Sequence, residues 1–583
     1  PEVAWDQREI NIWHTEVTMG GAALGRQHPS SFHPQGMPQP FRAWGGREAT
    51  KRSPADCSIG RFAPGDPLVN SSMPVPSVGS PVTQSSSVLR NRESLGTTLA
   101  LQDSPPTDRL PHPLRFHILA HLLSKYNQGK DAHLLYYGFR DGFRIPSTAS
   151  PSSFPPKNQL SAIKQPEVVQ VKIGQEVQLG RVAGPFARPP HPAMVFSPLG
   201  LVPKKEPGKF RLIHNLSYPP GTSVNDGIDP ALCAVRYTAF GEAIAKLQRL
   251  GRGALMAKSD IEAAFRLLPV HPHDTRLLGF TFKGEYFMDR CMPMGCAIAC
   301  AHFETFGRFL EWAAKDLVGS TDIVHYLDDF LFMGPAGSAA CARALHGFRQ
   351  LAKSLGVPLA EEKTEGPSTT LSFLGIEIDS VAGECRLPNS KVRAFRNAVK
   401  ECLIAKKVSL RQLQVLVGQL NFATRVIPMG KVFAKNIARA MSGLRGPQHH
   451  TRLSGEVRED LAMWDEFLAS FNGTLIWREV ATANAELALF TDAAGSVGFG
   501  AILGARWCMQ HWPATWVQAG VTRNVTFLEL FPIIVALSIW GTYLANKTIV
   551  FWSDSMSAVA AINNQRAQCP LVLRLLKTLV RSC

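Results

Sequence analysis

The rhythm of hydrophobic and polar positions changes several times along the chain, and those changes divide it. Through residues 1–105 Pro, Ser and Gly dominate, as in Pro74-Val-Pro-Ser-Val-Gly-Ser-Pro81, and apolar positions show no period that one face could bury. This predicts a disordered N-terminal region. Residues 106–165 add one short amphipathic helix carrying Leu114, Phe116, Ile118, Leu119, Leu122 and Leu123, then a Ser/Pro-rich linker at 147–156. Over 166–385 short β-rich runs alternate with helical patterns, whereas 386–480 is helical, with Ser409 placed to cap a helix presenting Leu410, Leu413, Val417 and Leu420 on one face. Residues 485–583 show two strand-like runs with Gly turns, a long apolar helix and a strand-to-helix junction, which predicts a separate α/β domain.

With 583 residues and 45% hydrophobic content the chain can bury several cores, so a single domain is excluded. Lys and Arg number 62 against 46 Asp and Glu; the net charge of +16 favours a polyanionic partner. Of the eleven cysteines only Cys291, Cys296 and Cys300 lie close together, without a CxxC pair or a histidine at zinc spacing. A reducing intracellular setting, cytoplasm or nucleus, is expected. The apolar run from Leu530 to Trp540 contains Pro532 and follows Glu529, which makes it too short and interrupted for a membrane span. No signal peptide is evident, and the start at Pro1 with a stop at Cys583 inside an unfinished domain predicts a fragment of a longer chain.

The central block holds adjacent carboxylates, Asp328 and Asp329, between two apolar runs in Asp322-Ile-Val-His-Tyr-Leu-Asp-Asp-Phe-Leu-Phe-Met333, which reads as a hairpin with acids at its tip. A lone Asp-Asp pair is most often a solvated acidic turn. A third acid, Asp260, at the end of a strand-like run where a helix is expected to begin, changes that reading. Paired acids repel unless a cation lies between them, and nucleotidyl transfer needs two Mg2+ ions roughly 3.5–4 Å apart, bridged by carboxylates. Asp260 and Asp328 suit the bridging role, with Asp329 assisting.

These residues resemble a reverse transcriptase, whose pattern is an Asp after a strand, a downstream aromatic and a Tyr-x-Asp-Asp hairpin; Tyr326-Leu-Asp-Asp329 matches it fully. The resemblance implies that Phe265, five residues after Asp260, is the aromatic gate against the 2′-hydroxyl, with ordinary core packing as the other reading. It also implies that the strand pair joined by a Pro-Gly turn at 207–208 is the fingers hairpin, gripping the incoming triphosphate through Arg211 and either Lys204 or Lys205. Gly295 falls in the family's nucleotide-supporting turn, where Met294 replaces a residue that is polar in many retroviral relatives. Lys363 resembles the lysine that protonates pyrophosphate, with a surface lysine as the equal alternative, and Phe373-Leu-Gly375 resembles the primer grip, with a plain strand-turn as the other reading.

A second constellation follows: Asp492 on a strand before a Gly turn, Glu529 at the start of the apolar helix, and Asp554 where a strand meets a helix. Singly they read as turn, dipole and cap residues. In order they resemble ribonuclease H, whose fourth acid would fall beyond Cys583. A ribonuclease H acts on the RNA strand of a hybrid, so the pairing implies RNA-templated DNA synthesis.

The fold class expected is therefore multidomain, α/β and α+β: a right-hand polymerase with fingers and palm over 166–385, a helical thumb and connection over 386–480, then a C-terminally incomplete ribonuclease H-like α/β domain. The cofactor implied is Mg2+, with Mn2+ as substitute. The implied partners are RNA template, DNA primer, RNA–DNA hybrid and dNTPs, with no membrane. The block Tyr136-Tyr-Gly-Phe-Arg-Asp-Gly-Phe-Arg-Ile145 is similar to retrotransposons of the DIRS type. The rival reading is a catalytically inactive nucleic-acid-binding remnant of such an element.

Overall fold

A four-stranded antiparallel sheet runs in the order Glu365–Ser368, Leu255–Asp260, Asp329–Gly334, Ile323–Tyr326. The computed structural model describes residues 8–12, 110–151, 154–204, 208–477, 481–545 and 547–582, all within one compact unit. Side chains alternate across Asp329–Gly334. Phe330 and Phe332 enter one core, with Phe303, Phe306 and Phe309 of helix Ala299–Val318 and Phe348 of helix Ala340–Leu355. Leu331 and Met333 enter another, with Ala243 and Leu247 of helix Phe240–Leu250. Burial on both faces explains why this strand is continuously apolar instead of alternating. Truncating Phe330 or Phe332, both 0% exposed, to Ala would cost about 3–5 kcal/mol.

The region expected as one short helix and a linker is more ordered than its sequence implied. It forms helices Phe116–Leu123 and Gly129–Asp141, whose Leu119, Leu123, Leu135 and Phe139 fill the same core as Phe306, and a third short helix, Leu160–Ile163. Gly138 leaves room for the Phe143 ring just beyond helix Gly129–Asp141, since a side chain there would come within 2.4 Å of it. Ile145 N–H and the Arg144 guanidinium both donate to Asp274, at 2.9 and 2.6 Å, and Thr148 N–H donates to the Gly227 carbonyl at 3.0 Å, so the first part of the expected linker is docked.

Separate from that sheet are a three-stranded sheet, Val182–Phe186, Glu285–Asp289 and Gly279–Phe282, and the expected hairpin, Leu199–Pro203 with Phe210–His214. Its turn uses Gly208 at φ +78°, a conformation that favours glycine; Lys205 and Pro207 lie outside the described residues. A small sheet, Thr370–Phe373, Ile376–Asp379, Glu384–Arg386 and Thr474–Leu475, leads to four helices: Asn389–Ile404, Leu410–Ala423, Lys431–Arg439 and Gly455–Ser470. Ser409 caps the second of these as expected, its Oγ accepting from Gln412 N–H at 3.2 Å while Gln412 Oε1 accepts from Ser409 N–H at 2.9 Å. Leu410, Leu413 and Leu420 are buried, but Leu416 takes the core position and Val417 is only half-buried.

The C-terminal part contains the antiparallel sheet Leu489–Ala494, Gly498–Leu503, Arg506–His511 and the strand Ile549–Ser553. Buried Asn484 ties the two together, its amide donating to the Leu489 carbonyl at 3.0 Å and its Oδ1 accepting from Trp552 N–H at 3.1 Å. Strand Ile549–Ser553 pairs parallel with Thr482–Ala483 and antiparallel with Arg8–Ile12. Those five residues are thus a strand where disorder was expected; the rest of 1–105 lies outside the described residues. The apolar run extends further than its sequence implied, into the helix Val525–Leu544, which by length and composition could cross a membrane despite Pro532. Its Leu530, Ile533, Ile534, Ala536 and Trp540 are instead packed in the core with Leu573 and Leu576 of helix Pro570–Ser582.

Candidate active sites

Asp260 closes its strand directly opposite Asp329 in the antiparallel register, and Tyr326 pairs with Asp329 across the hairpin. The two-residue tip bends through Leu327 at φ +53°, and Ile261 N–H donates to the Asp328 carbonyl at 3.1 Å, which fixes both acids beside the end of the Asp260 strand. The expected helix after Asp260 is only a short 3-10 turn, Ala264–Leu267. Asp260 is 8% exposed, and Lys363 Nζ donates to its Oδ1 at 2.9 Å.

Electrostatically the cluster is under-neutralised. Burial, then repulsion from Asp260, pushes Asp328 above the usual carboxylate range against the pull of Lys363 and Arg211. Asp329 is pushed up to about 7 by burial and by Asp328 and Asp260. Lys363 responds in the complementary sense: burial works against its charge, but the bond to Asp260 and the fields of Asp328 and Asp329 hold the ammonium above the ordinary lysine value. Among the described residues no three acid, histidine or cysteine side chains close around one point as a ready-made metal cage. The donor set nevertheless fits divalent cations, since burial and neighbouring carboxylates push Asp328 and Asp329 toward the neutral form beside a third oxygen donor, Asp260.

Of the other candidates, Arg211 acts on Asp328. Arg211 is exposed on strand Phe210–His214, opposite Val202, and Lys204 follows the partner strand, its N–H donating to the Lys209 carbonyl at 2.8 Å. Phe265 is half-buried, edge-on to Phe303 at 5.9 Å, so it combines core packing with a partly open ring. Gly295 has φ +120°, and a side chain there would meet the His214 carbonyl at 2.3 Å; glycine is required on both grounds. Asn225 holds the same turn, donating to the Gly295 carbonyl at 2.8 Å and accepting from Ala297 N–H at 2.9 Å. At the Phe373-Leu-Gly375 turn Leu374 has φ +48° and Gly375 φ +76°, and Lys391 Nζ donates to the Gly375 carbonyl at 2.8 Å.

Sequence reasoning missed Asn225, Lys391 and Tyr237, whose ring lies 4.9 Å from that of Tyr326. It also missed His325, buried in the hairpin strand between two acids of helix Ala299–Val318. Its Nδ1 is paired with Glu311, and its Nε2 stands 3.3 Å from Glu304 Oε1 at an angle poor for a hydrogen bond. The signal was present for His325 alone, a polar residue within the otherwise apolar Ile323–Tyr326 run.

In the C-terminal part the structure brings the three expected acids together. Asp492 is exposed on the first strand, Asp554 follows strand Ile549–Ser553, and Glu529 lies half-buried in the first turns of helix Val525–Leu544. Burial, then Asp554 and Asp492, pushes Glu529 up to about 7. Asn524 and Ser555 cap helix Val525–Leu544 and helix Met556–Asn564, accepting from Phe527 and Ala558 N–H at 3.0 and 3.3 Å, and Thr526 Oγ1 donates to Ser557 Oγ at 2.7 Å, so both helix starts are locked beside the acids.

Residues 202–378 match the family described as reverse transcriptase (RNA-dependent DNA polymerase). The chain is 22% identical over 287 residues to the Gag-Pro-Pol polyprotein of Mason-Pfizer monkey virus, covering 47% of this chain and 15% of that one. It is 22% identical over 380 residues to the Transposon Tf2-3 polyprotein of Schizosaccharomyces pombe, covering 63% and 26%. The chain thus spans about a quarter or less of the length of these relatives. Among solved structures it is similar to the foamy viral protease-reverse transcriptase in complex with double-stranded DNA, with 16% identity, TM-score 0.45 and 76% of each chain covered. A second match is the same protein with an RNA/DNA hybrid, at 14% identity and TM-score 0.44, covering 86% of this chain and 62% of that one. Residues 202–378, with the acid hairpin among them, thus match the reverse transcriptase family, and retroviral and retrotransposon polyproteins are among the proteins this chain is similar to.

Proposed function

We propose that the chain is the RNA-directed DNA polymerase of a retrotransposon, with an attached ribonuclease H acting on RNA–DNA hybrids. The observation that carries the polymerase reading is the convergence of Asp260, Asp328 and Asp329 at one sheet end, with Asp260 directly opposite Asp329 and Lys363 on Asp260. Asp260 and Asp328 would hold a pair of Mg2+ or Mn2+ ions, with Asp329 assisting; when bound, such a pair supplies the charge that activates the primer hydroxyl and steadies the leaving pyrophosphate. Arg211 and Lys204 grip the triphosphate of the incoming dNTP, Gly295 lets the backbone approach it, and Phe265 excludes the 2′-hydroxyl. Lys363 Nζ moves a proton to the pyrophosphate. Excess positive charge binds the template and primer backbones.

The ribonuclease H reading rests on Asp492, Glu529 and Asp554 meeting from a strand, a helix and the end of a second strand, with Glu529 raised to about 7 by burial and then by its two neighbours. The Tyr136–Ile145 block supports placement among elements of the DIRS type.

Primer extension tests the proposal: purified protein, RNA template, DNA primer, dNTPs and Mg2+, against Asp328→Asn. Extension is expected from the wild type and lost in the variant, with hybrid binding retained in both. Binding of the hybrid without extension by either protein would favour an inactive nucleic-acid-binding remnant.

A further inference from the structure

Immediately after Phe265 comes an arginine that a sequence rich in apolar neighbours would not be expected to bury. Arg266 lies in Ala264-Phe-Arg-Leu267, with a side chain 12% exposed. Every nitrogen of its guanidinium is committed. Nη1 donates to Asp289 Oδ1 at 2.7 Å and to the Cys291 carbonyl at 3.1 Å, Nε donates to Glu176 Oε2 at 2.9 Å, and Nη2 lies 2.8 Å from the same oxygen and 3.3 Å from the Arg181 carbonyl. A planar fork with this many fixed acceptors holds both its position and its orientation, which an ammonium on a flexible stem would not do.

The network continues through Asp289 to the other walls of the nucleotide site. Asp289 is 4% exposed, and its second oxygen lies 2.8 Å from His214 Nδ1, while His214 Nε2 lies 3.2 Å from the Gly279 carbonyl. Burial opposes the charge on Asp289, but Arg266 and His214 hold its carboxyl below the usual range. His214 ends the strand that carries Arg211, and its carbonyl is the atom against which Gly295 packs. One chain, half-buried Glu176 through Arg266 to buried Asp289 and His214, therefore joins the turn bearing Phe265, the strand bearing Arg211 and the turn bearing Gly295.

We propose that Arg266 and Asp289 are positioning residues for sugar discrimination, holding the Phe265 turn at a fixed distance from the triphosphate-binding strand so that a 2′-hydroxyl is excluded. The inference rests on the polymerase reading. Fold stability alone would be served by an apolar residue at 266, and burying a charge has a desolvation cost that only close geometry offsets. A gate, in contrast, gains from a rigid support, because displacement by a fraction of an ångström changes which sugar fits.

The test is single-nucleotide incorporation on an RNA template and DNA primer, measured with a dNTP and with the matching rNTP, for wild type, Arg266→Lys, Asp289→Asn and His214→Gln. Wild-type protein should prefer the dNTP; no incorporation by wild type would remove the polymerase reading and this inference with it. With wild type active, the expected result is a fall of about tenfold or more in the dNTP-to-rNTP ratio of kcat/KM for Arg266→Lys and Asp289→Asn, with template–primer Kd unchanged. Variants that lose dNTP and rNTP incorporation equally, or keep the wild-type ratio, would overturn it. If Asp289→Asn does not fold by circular dichroism, His214→Gln, which leaves the Arg266–Asp289 pair intact, carries the same ratio measurement, with an unchanged ratio counting against the proposal.

Discussion

Lys363 shows how one side chain takes its meaning from its surroundings. In the sequence it is a surface lysine in Glu361-Glu-Lys-Thr364; in the fold its Nζ rests 2.9 Å from Asp260 Oδ1, and Ala360 N–H donates to the Asp260 carbonyl at 2.9 Å, so the segment is moored to the acid it serves. The ammonium is held above the ordinary lysine value, burial being outweighed by the three aspartates, and so remains charged and able to donate through neutral pH. Replacing Lys363 with Gln is predicted to slow nucleotide addition by about a hundredfold, the usual size of a general-acid contribution, while leaving template–primer affinity unchanged. Pre-steady-state extension would measure this, and a slowing of less than about threefold would leave Lys363 as an ion-pair partner only. Phe265 could be proposed as a gate from the family resemblance, but the role of Arg266 beside it could not be read, because its partners Glu176 and Asp289 are remote in sequence.

At the scale of elements the acid hairpin depends on its buttress. His325, stacked on Phe330 at 5.4 Å, is buried between Glu304 and Glu311, and Lys315 pairs with Glu311 from the same helix. Burial lowers its basicity, but the two acids prevail and raise it to about 9. A histidine raised in the folded state stabilises fully below its unfolded value, roughly 6.5, and that contribution is lost as pH rises through about 9. His325→Gln is therefore predicted to lower stability by on the order of 1–3 kcal/mol near pH 6, and to flatten the decline seen in the wild type between about pH 6.5 and 9. Urea unfolding across that range is the check; an equally steep decline in the variant would show that other groups cause it. The capping box at Ser409 and Gln412, by comparison, was visible in the sequence because all its parts lie within one turn.

For the whole molecule, the decisive contacts join parts that the sequence reads separately. Helix Pro570–Ser582 lies against helix Gly455–Ser470, with Lys577 paired to Asp460, which is 1% exposed at its side chain, and Arg574 pairs with Glu456 at 3.1 Å. Burial pushes Asp460 above the usual carboxylate range even with Lys577 opposing it. Lys577→Met would leave a buried acid without its counter-charge and is predicted to destabilise this junction by about 3–5 kcal/mol, whereas the double variant Asp460→Leu/Lys577→Met should recover most of the loss. Hydrogen exchange over 570–582 would report both effects, and equal protection in the single variant and wild type would contradict the assignment.

The sequence by itself determined what is local. The Tyr326–Asp329 hairpin, the strand-end position of Asp260, the Gly208 turn and the Ser409 cap each follow from residues within a few positions, whose steric or hydrogen-bonding demands need no distant partner. The order Asp492, Glu529, Asp554 was legible for the same reason, each acid being marked by its own element boundary. The tertiary structure alone decided which remote residues meet. Leu119, Leu135 and Phe139 form part of the palm core because Phe306 and Phe348 present a surface for them, although the periodicity of their own segment predicts little more than one short helix. The buried charges of Arg266, Asp289, His325 and Asp460 have no sequence signature beyond a polar letter among apolar ones, since a charge is tolerated inside only where a distant partner arrives to neutralise it.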